Sequence, residues 1–303
     1  MYLDLCSPRT IKELLDRYGL APKKGYGQNF LTNPMVPEAI ADAAADASGE
    51  CKAVLEIGPG LGVLTRELGE RFSSVVAVEI DRGLIPLLEE TLGEYENVRV
   101  INEDFMETEL TELLHENFGD ARPAVCANLP YYITTPIIMK LLEDCPYSCG
   151  LPYTSITVMV QFEVADRIAA KQGSADYGAI TAAVGLRCSV KKVLTVSPGS
   201  FYPPPKVTSA VIQLVPHEKG IYSVYENAPE DREECESFGR RVSELVGAAF
   251  SMRRKTLVNA LASVYPKEKT LTALESLGMR ADIRGERLSS RDFCALADIL
   301  EKI

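Results

Sequence analysis

Residues 53–68 read AVLEIGPGLGVLTREL. The first six residues are apolar except for Glu56 and carry branched side chains, the near-continuous pattern of a strand covered on both faces. Glycines follow at 58, 60 and 62, and the stretch after them repeats its apolar residues at helical spacing. Strand, glycine turn and helix in that order open a βαβ unit. Working outward, SVVAVEI (74–80), NVRVIN (97–102), PAVCAN (123–128) and SITVMVQ (155–161) also read as strands. The segments between them, such as RGLIPLLEETLG and TTPIIMKLLED, carry apolar residues three and four apart and read as helices. Two more strands are expected near 190–196 and 207–215, the last pair antiparallel. The fold class predicted is α/β, with about seven strands in a mostly parallel sheet.

The pattern changes after Pro216. HEKGIYSVYENAPEDREECES has little periodicity, and the segments that follow are helical without strands between them. Three regions are expected: 1–216 as the α/β domain with an N-terminal extension, 217–236 as an acidic linker or insertion, and 237–303 as a small all-helical domain. At 303 residues and 46% apolar, the chain is long enough for about two domains with real cores. No apolar run approaches the roughly 20 residues that span a bilayer, and the N-terminus lacks the apolar segment of a signal peptide. A cytoplasmic protein is expected. Eight scattered cysteines with no CxxC pair, and only His115 and His217, support neither a metal site nor a Cys–His nucleophile; the thiols are expected to be reduced.

The glycine loop points to a ligand. Glycine lets the backbone turn sharply and lets a ligand approach peptide groups that a Cβ would shield. Glu79 ends the next strand, where a carboxylate can accept hydrogen bonds from both hydroxyls of a ribose. Asp104, at the end of the strand after that, is placed to meet an adenine amino group; without a ligand it would cap a helix starting near Met106. The G-x-G-x-G spacing differs from the dinucleotide G-x-G-x-x-G, and no lysine stands in P-loop spacing. A nucleoside with a ribose diol and no pyrophosphate fits better, and S-adenosylmethionine (AdoMet) is such a ligand.

The strand ending at 128 continues as VCANLPYYITT, residues 125–135. An adenine amino group is a poor nucleophile because its lone pair is delocalised into the ring. Acceptors that take both N–H bonds favour the tetrahedral form that attacks a methyl sulfonium. Asn128 Oδ1, with the carbonyl of Leu129 or Pro130, can supply them. Pro130 stiffens the loop, and Tyr131 offers a stacking surface to a base taken out of its stack. Tyr132 is expected to pack in the core, and Cys126 to be a small strand residue.

NLPY after the fourth strand matches the amino-methyltransferase signature [DN]-[LIP]-P-[YF] in its adenine-N6 form. With KKGYGQNFLTNP, VLEIGPGLGVLT, FYPPPKVTSAVIQL and FSMRRKTLVNAL in order, the chain closely resembles the small-subunit ribosomal RNA adenine-N6,N6 dimethyltransferases, the family of the kasugamycin-sensitivity enzyme, over nearly its whole length. The resemblance implies a Rossmann-like class I methyltransferase domain and AdoMet as methyl donor. Asn29, Leu31, Gly58, Gly60, Glu79, Asp104 and Asn128 would line the AdoMet pocket. Asn128, Leu129 and Pro130 would hold the target amine, and Tyr131 and Phe201 would sandwich the adenine. The implied substrate is a pair of adjacent adenosines in a hairpin loop near the 3′ end of small-subunit rRNA, each methylated twice within an immature small subunit late in assembly. Arg253, Arg254 and Lys255, then Lys206, Lys23 and Lys24, are the candidate RNA contacts, against the plainer reading of solvated charges. A monomer with no membrane association is expected.

Two departures stand out. Tyr26 replaces the usual phenylalanine or leucine, and the net charge is −11 where family members are commonly basic. Residues 237–303 carry +4, so the first 236 residues carry −15. Three other readings compete. A large-subunit rRNA dimethylase conferring macrolide resistance would share NLPY and the glycine loop, but FYPPPKVTSAVIQL and the C-terminal segment favour the small-subunit group. An RNA-binding assembly or transcription factor without catalysis would not need both loops intact, and a nicotinamide dehydrogenase explains neither NLPY nor Phe201.

Overall fold

The computed structural model describes residues 3–23, 27–145, 150–252 and 254–303. Lys24, Tyr26, Cys149 and Arg253 lie outside the described residues. In chain order the elements are α1 (Pro8–Arg17), β1 (Phe30–Leu31), α2 (Met35–Ser48), β2 (Ala53–Ile57), α3 (Val63–Arg71), β3 (Ser74–Val78), α4 (Ile85–Leu92), β4 (Val98–Ile101), α5 (Leu110–Phe118), β5 (Ala124–Asn128), α6 (Thr134–Glu143), β6 (Ile156–Gln161) and α7 (Phe162–Ile168). They continue with α8 (Ala179–Gly185), β7 (Cys188–Val196), β8 (Phe201–Tyr202), β9 (Ser209–Pro216), α9 (Arg232–Ser251), α10 (Leu257–Ala260), α11 (Lys267–Ser276) and α12 (Ser290–Lys302).

The chain divides into two compact units. The first comprises residues 1–144, 152–165 and 191–215. Its frame is a seven-stranded sheet ordered β4-β3-β2-β5-β6-β9-β7, the α/β fold expected from the sequence. Strands β4, β3, β2, β5 and β6 are parallel, and β9 returns antiparallel to β6. Every residue of β2 is buried, as its run of apolar residues requires of a strand covered on both faces. The chain leaves β2 toward β3 and β4, then crosses to β5 on the other side. That reversal opens a crevice at the C-terminal ends of β2 and β5, the place where open α/β sheets bind ligands.

A second, two-stranded ladder was not legible in the sequence. β1 pairs antiparallel with β8, Phe30 opposite Tyr202 and Leu31 opposite Phe201. Phe30, Leu31 and Phe201 join the first unit's apolar core with Val63, Leu64 and Met159. Two segments 170 residues apart thereby reach one place.

The second unit holds residues 145–151, 166–190 and 216–303. This division differs from a single boundary at Pro216. Tyr177, Ala182 and Leu186 are buried with Phe238, Phe293 and Leu296 in one core, so 166–190 packs with the C-terminal helices. Nor is 217–236 a linker. Ile221, Tyr225, Ala228 and Cys235 belong to the same core, and the Tyr225 and Phe238 rings stack with centroids 6.0 Å apart. The acidity of this stretch has a local cause. The Asp231 side chain accepts the Glu234 N–H at 3.0 Å and caps α9, whose first turn carries Glu233 and Glu234, where negative charge suits the helix dipole. Among the described residues, no helix is long and apolar enough to cross a membrane.

Candidate active site

A cavity of about 280 Å³ opens at the C-terminal ends of the strands in the first unit. Asn29, Leu31, Gly58, Gly60, Glu79, Asp104, Asn128, Leu129, Pro130, Tyr131 and Phe201 all line it, so residues from six separate segments meet in one space.

The glycine loop forms one wall. Gly58, Gly60 and Gly62 have φ of 72°, 61° and 86°, values that side chains with a Cβ rarely adopt. Space constrains Gly62 as well, where a Cβ would fall 3.0 Å from Leu92. At Gly58 a Cβ would meet nothing within 4 Å, so its backbone borders open space. Glu79 stands just beyond β3. Its Oε2 accepts the Gly60 N–H at 3.2 Å and its Oε1 the Asp81 N–H at 2.8 Å. Burial raises its carboxyl above the ordinary range, and the backbone N–H bonds oppose that rise. Each carboxylate oxygen keeps a second lone pair, so both can still accept a ribose hydroxyl. Asp104 accepts the Met106 N–H at 2.9 Å, the capping role foreseen for it, although the helix that follows begins only at Leu110.

The segment carrying Asn29 and Leu31 crosses the cavity and is fastened beside Glu79. Asp81, only 4% exposed, receives the Lys23 ammonium at 2.7 Å, the Gln28 amide at 3.1 Å and the Gly83 N–H at 3.0 Å. Against the cost of burial, these donors hold the Asp81 carboxyl below its usual range. Lys23, expected among the RNA contacts, ties its segment to Asp81, just beyond β3. Asp81→Asn is therefore expected to raise KM for AdoMet about fivefold, the equivalent of about 1 kcal/mol for a partly exposed pair. AdoMet saturation curves at low and high salt check this, with the difference from wild type shrinking at high salt.

The tetrad is held from three sides. Asn128 Nδ2 donates to Asn29 O at 3.4 Å, which leaves Oδ1 to act as acceptor. The Pro130 carbonyl receives both the Ile133 N–H and the Thr134 hydroxyl at 3.1 Å, at the start of α6. Both lone pairs of the Pro130 carbonyl are thereby engaged. Tyr131 Oη lies 2.7 Å from Ser209 Oγ, which pins the ring to β9, and burial raises its phenol above the ordinary value. Phe201 is 5% exposed and meets the cavity from within the core. Cys126 is buried in β5, its thiol pushed well up by that burial. Tyr132 corrects the expectation of core packing: it is 59% exposed on the cavity wall, beside Gly27.

Several lining residues escaped the sequence reading. Ile80, Phe105 and Met106 give apolar surface beside Glu79 and Asp104. Their only signal was position, directly after a strand-ending acid. Glu56, on β2, also lines the cavity at 1% exposure, and its Oε2 has no hydrogen-bond partner. Burial, reinforced by the Glu79 carboxylate, pushes its carboxyl up to about 8; the Thr65 hydroxyl, which lacks a well-formed hydrogen bond, opposes the shift. Buried carboxyls for a cation, open glycine backbone, a diol acceptor and apolar surface together fit AdoMet.

Lys206 is exposed in the first unit, and Arg254 and Lys255 are exposed after α9 in the second. None of the three lines the cavity.

Comparison with known proteins agrees with this chemistry. The chain is 42% identical over 301 residues, 98% of both chains, to the Ribosomal RNA small subunit methyltransferase A of Alkaliphilus oremlandii. It is 42% identical to the protein of that name from Anoxybacillus flavithermus, over 100% of this chain and 98% of that one. Among solved structures, a dimethyladenosine transferase from Plasmodium falciparum superposes with a TM-score of 0.66 at 28% identity, covering 88% of this chain and 95% of that one. The 23S rRNA methyltransferase ErmE does so with 0.63 at 26% identity, covering 90% and 100%. The family described as Ribosomal RNA adenine dimethylase matches residues 19–302. By that match and by its full-length relatives, the chain belongs to the ribosomal RNA adenine dimethylase family.

Proposed function

We propose that this protein dimethylates N6 of two adjacent adenosines in a hairpin loop near the 3′ end of small-subunit rRNA, on an immature small subunit late in assembly. Family membership makes the reaction AdoMet-dependent adenine dimethylation of rRNA. The choice of the small subunit rests on relatives 42% identical over nearly the whole chain that carry that subunit in their names, against 26% for the large-subunit enzyme ErmE. The observation that carries the site assignment is the meeting of Asn128 and Leu129 with Gly58, Glu79 and Asp104 around one cavity.

AdoMet supplies a methyl group on a sulfonium. Glu79 accepts from the ribose hydroxyls and Asp104 from the adenine amino group, while Asn29, Leu31, Gly58 and Gly60 close around the rest. Asn128 Oδ1 and the Leu129 carbonyl take the two N–H bonds of the target amine and localise its lone pair. Pro130 fixes their direction, with its own carbonyl engaged in the turn into α6. Tyr131 and Phe201 receive the flipped base between their rings. The methylated amine is acidic enough to lose its proton to water, so no histidine is required. Lys206, Arg254 and Lys255 contact RNA phosphates, joined by Lys24 and Arg253 outside the described residues, and the helical second unit grips the subunit. The protein works as a monomer in the cytoplasm.

The test is incubation of purified protein with AdoMet and small subunits lacking the modification, followed by mass analysis of the RNA. Two adjacent N6,N6-dimethyladenosines are expected near the 3′ end, and none in naked large-subunit RNA. Folded, AdoMet-binding protein that modifies neither substrate rejects the proposal.

A further inference from the structure

We propose that Phe162, with Lys192 on one side of its ring, is a stacking platform for the RNA nucleotide beside the target adenosine. This inference rests on the rRNA-methyltransferase reading and extends it beyond the cavity. Phe162 is the residue after β6, and it is a large apolar ring left 39% exposed at the C-terminal end of the sheet, the end that holds the cavity. The Lys192 ammonium stands over the ring, 5.6 Å from its centroid, which orients one charge and one aromatic face together. The Phe162 N–H donates to the Thr208 carbonyl at 3.0 Å. Lys206 and Val207, both exposed, immediately precede Thr208 in the chain.

The same backbone connects this patch to the site of chemistry. Gln161 is the ladder partner of Ser209, and Ser209 Oγ lies 2.7 Å from the Tyr131 hydroxyl. Phe162 and Tyr131 are therefore attached to neighbouring positions at the start of β9. The patch also runs against the chain's overall charge. The first 236 residues carry a balance of −15, yet the charged group over this ring is a cation, Lys192.

The substrate's chemistry fits what the patch offers. When one adenosine is taken out of its stack, its neighbour in the loop loses a stacking face. The exposed part of the aromatic ring restores that face for any base, and the lysine on its other side meets a flanking phosphate. A ring with lysine on one side binds a base and its backbone at once. Because the substrate carries two adjacent adenosines, the platform holds one while the other occupies the cavity.

The experiment is steady-state methyl transfer by the full chain to unmodified small subunits, varying subunits and AdoMet separately. Phe162→Ala is expected to raise KM for subunits about five- to tenfold, with KM for AdoMet within about twofold of wild type. Phe162→Trp keeps a stacking face and is expected to restore near-normal KM. Lys192→Met is expected to weaken subunit binding and make it less sensitive to salt. Unchanged KM for subunits in Phe162→Ala overturns the platform, as does equal impairment in Phe162→Trp, which would mark a purely structural role. A wild-type protein that transfers no methyl group overturns both this inference and the function it rests on; normal wild-type transfer with an unaffected Phe162→Ala overturns the platform alone.

Discussion

Asn128→Ala is expected to lower the rate of methyl transfer about 10²- to 10³-fold, the loss typical of removing one preorganised polar group aimed at developing charge. The target amine gains positive charge as it attacks. Asn128 Oδ1 is one of only two acceptors proposed to stabilise that charge, and the Pro130 carbonyl cannot replace it because two donors already occupy it. The amide is also fixed before substrate arrives, since Nδ2 is bonded to Asn29 O. Alanine removes both the acceptor and this tether. AdoMet affinity should fall as well, but only several-fold, because Gly58, Glu79 and Asp104 remain. Asn128→Asp retains an acceptor at the same position and is expected to recover most of the loss. Single-turnover methyl transfer at saturating AdoMet separates these effects, with calorimetry giving AdoMet affinity independently. A single-turnover rate within about fivefold of wild type in Asn128→Ala would remove this residue from the mechanism.

The parts of this site that could be read from the sequence are those whose chemistry is local. AVLEIGPGLG states its own strand and turn, because glycine at three positive-φ positions and a nearly continuous apolar run are features of neighbouring residues. NLPY is likewise local. What could not be read depends on distant partners. The β1–β8 ladder has two residues on each side, too few for a period of two to register, yet it brings Leu31 and Phe201 together. Lys23 has its ion-pair partner in Asp81, 58 residues away. That the Pro130 carbonyl is already engaged depends on hydrogen bonds from residues at the start of α6. Tyr132 misled because aromatic residues near strand ends usually pack, whereas here the loop holds it at the cavity wall. The placement of 166–190 follows the core it joins, which no composition change at its edges reveals. Charge was the least informative signal, since the acidic stretch at 226–236 belongs in part to a helix cap.

Glu56 yields the second large expected effect, and its sign is fixed by where its proton resides. In the folded protein without ligand the carboxyl is raised from 4.5 to about 8 by burial, with Glu79, just beyond β3, adding to the rise. The residue facing it across the ladder from β5 is Cys126, whose thiol is itself raised, and Thr65 approaches from α3. None of these supplies a positive charge. Between about pH 4.5 and 8 the unfolded chain releases this proton while the folded chain keeps it, so the unfolded state binds fewer protons and stability falls as pH rises. The full loss from this group is on the order of 5 kcal/mol, complete above pH 8. Glu56→Gln abolishes that slope. Its amide leaves a buried donor unbonded, at a cost of about 1–3 kcal/mol, so near pH 5 the variant should be slightly less stable than wild type. Near pH 8 the order should invert, with the variant more stable by a few kcal/mol. Denaturant melts of both proteins across pH 5 to 8.5, without AdoMet, give the crossing directly, and parallel curves would mean that Glu56 ionises normally in the folded chain. Cationic AdoMet favours the ionised carboxylate in the same cavity. Its stabilisation of the wild type should therefore grow with pH over this range, whereas in Glu56→Gln it should not.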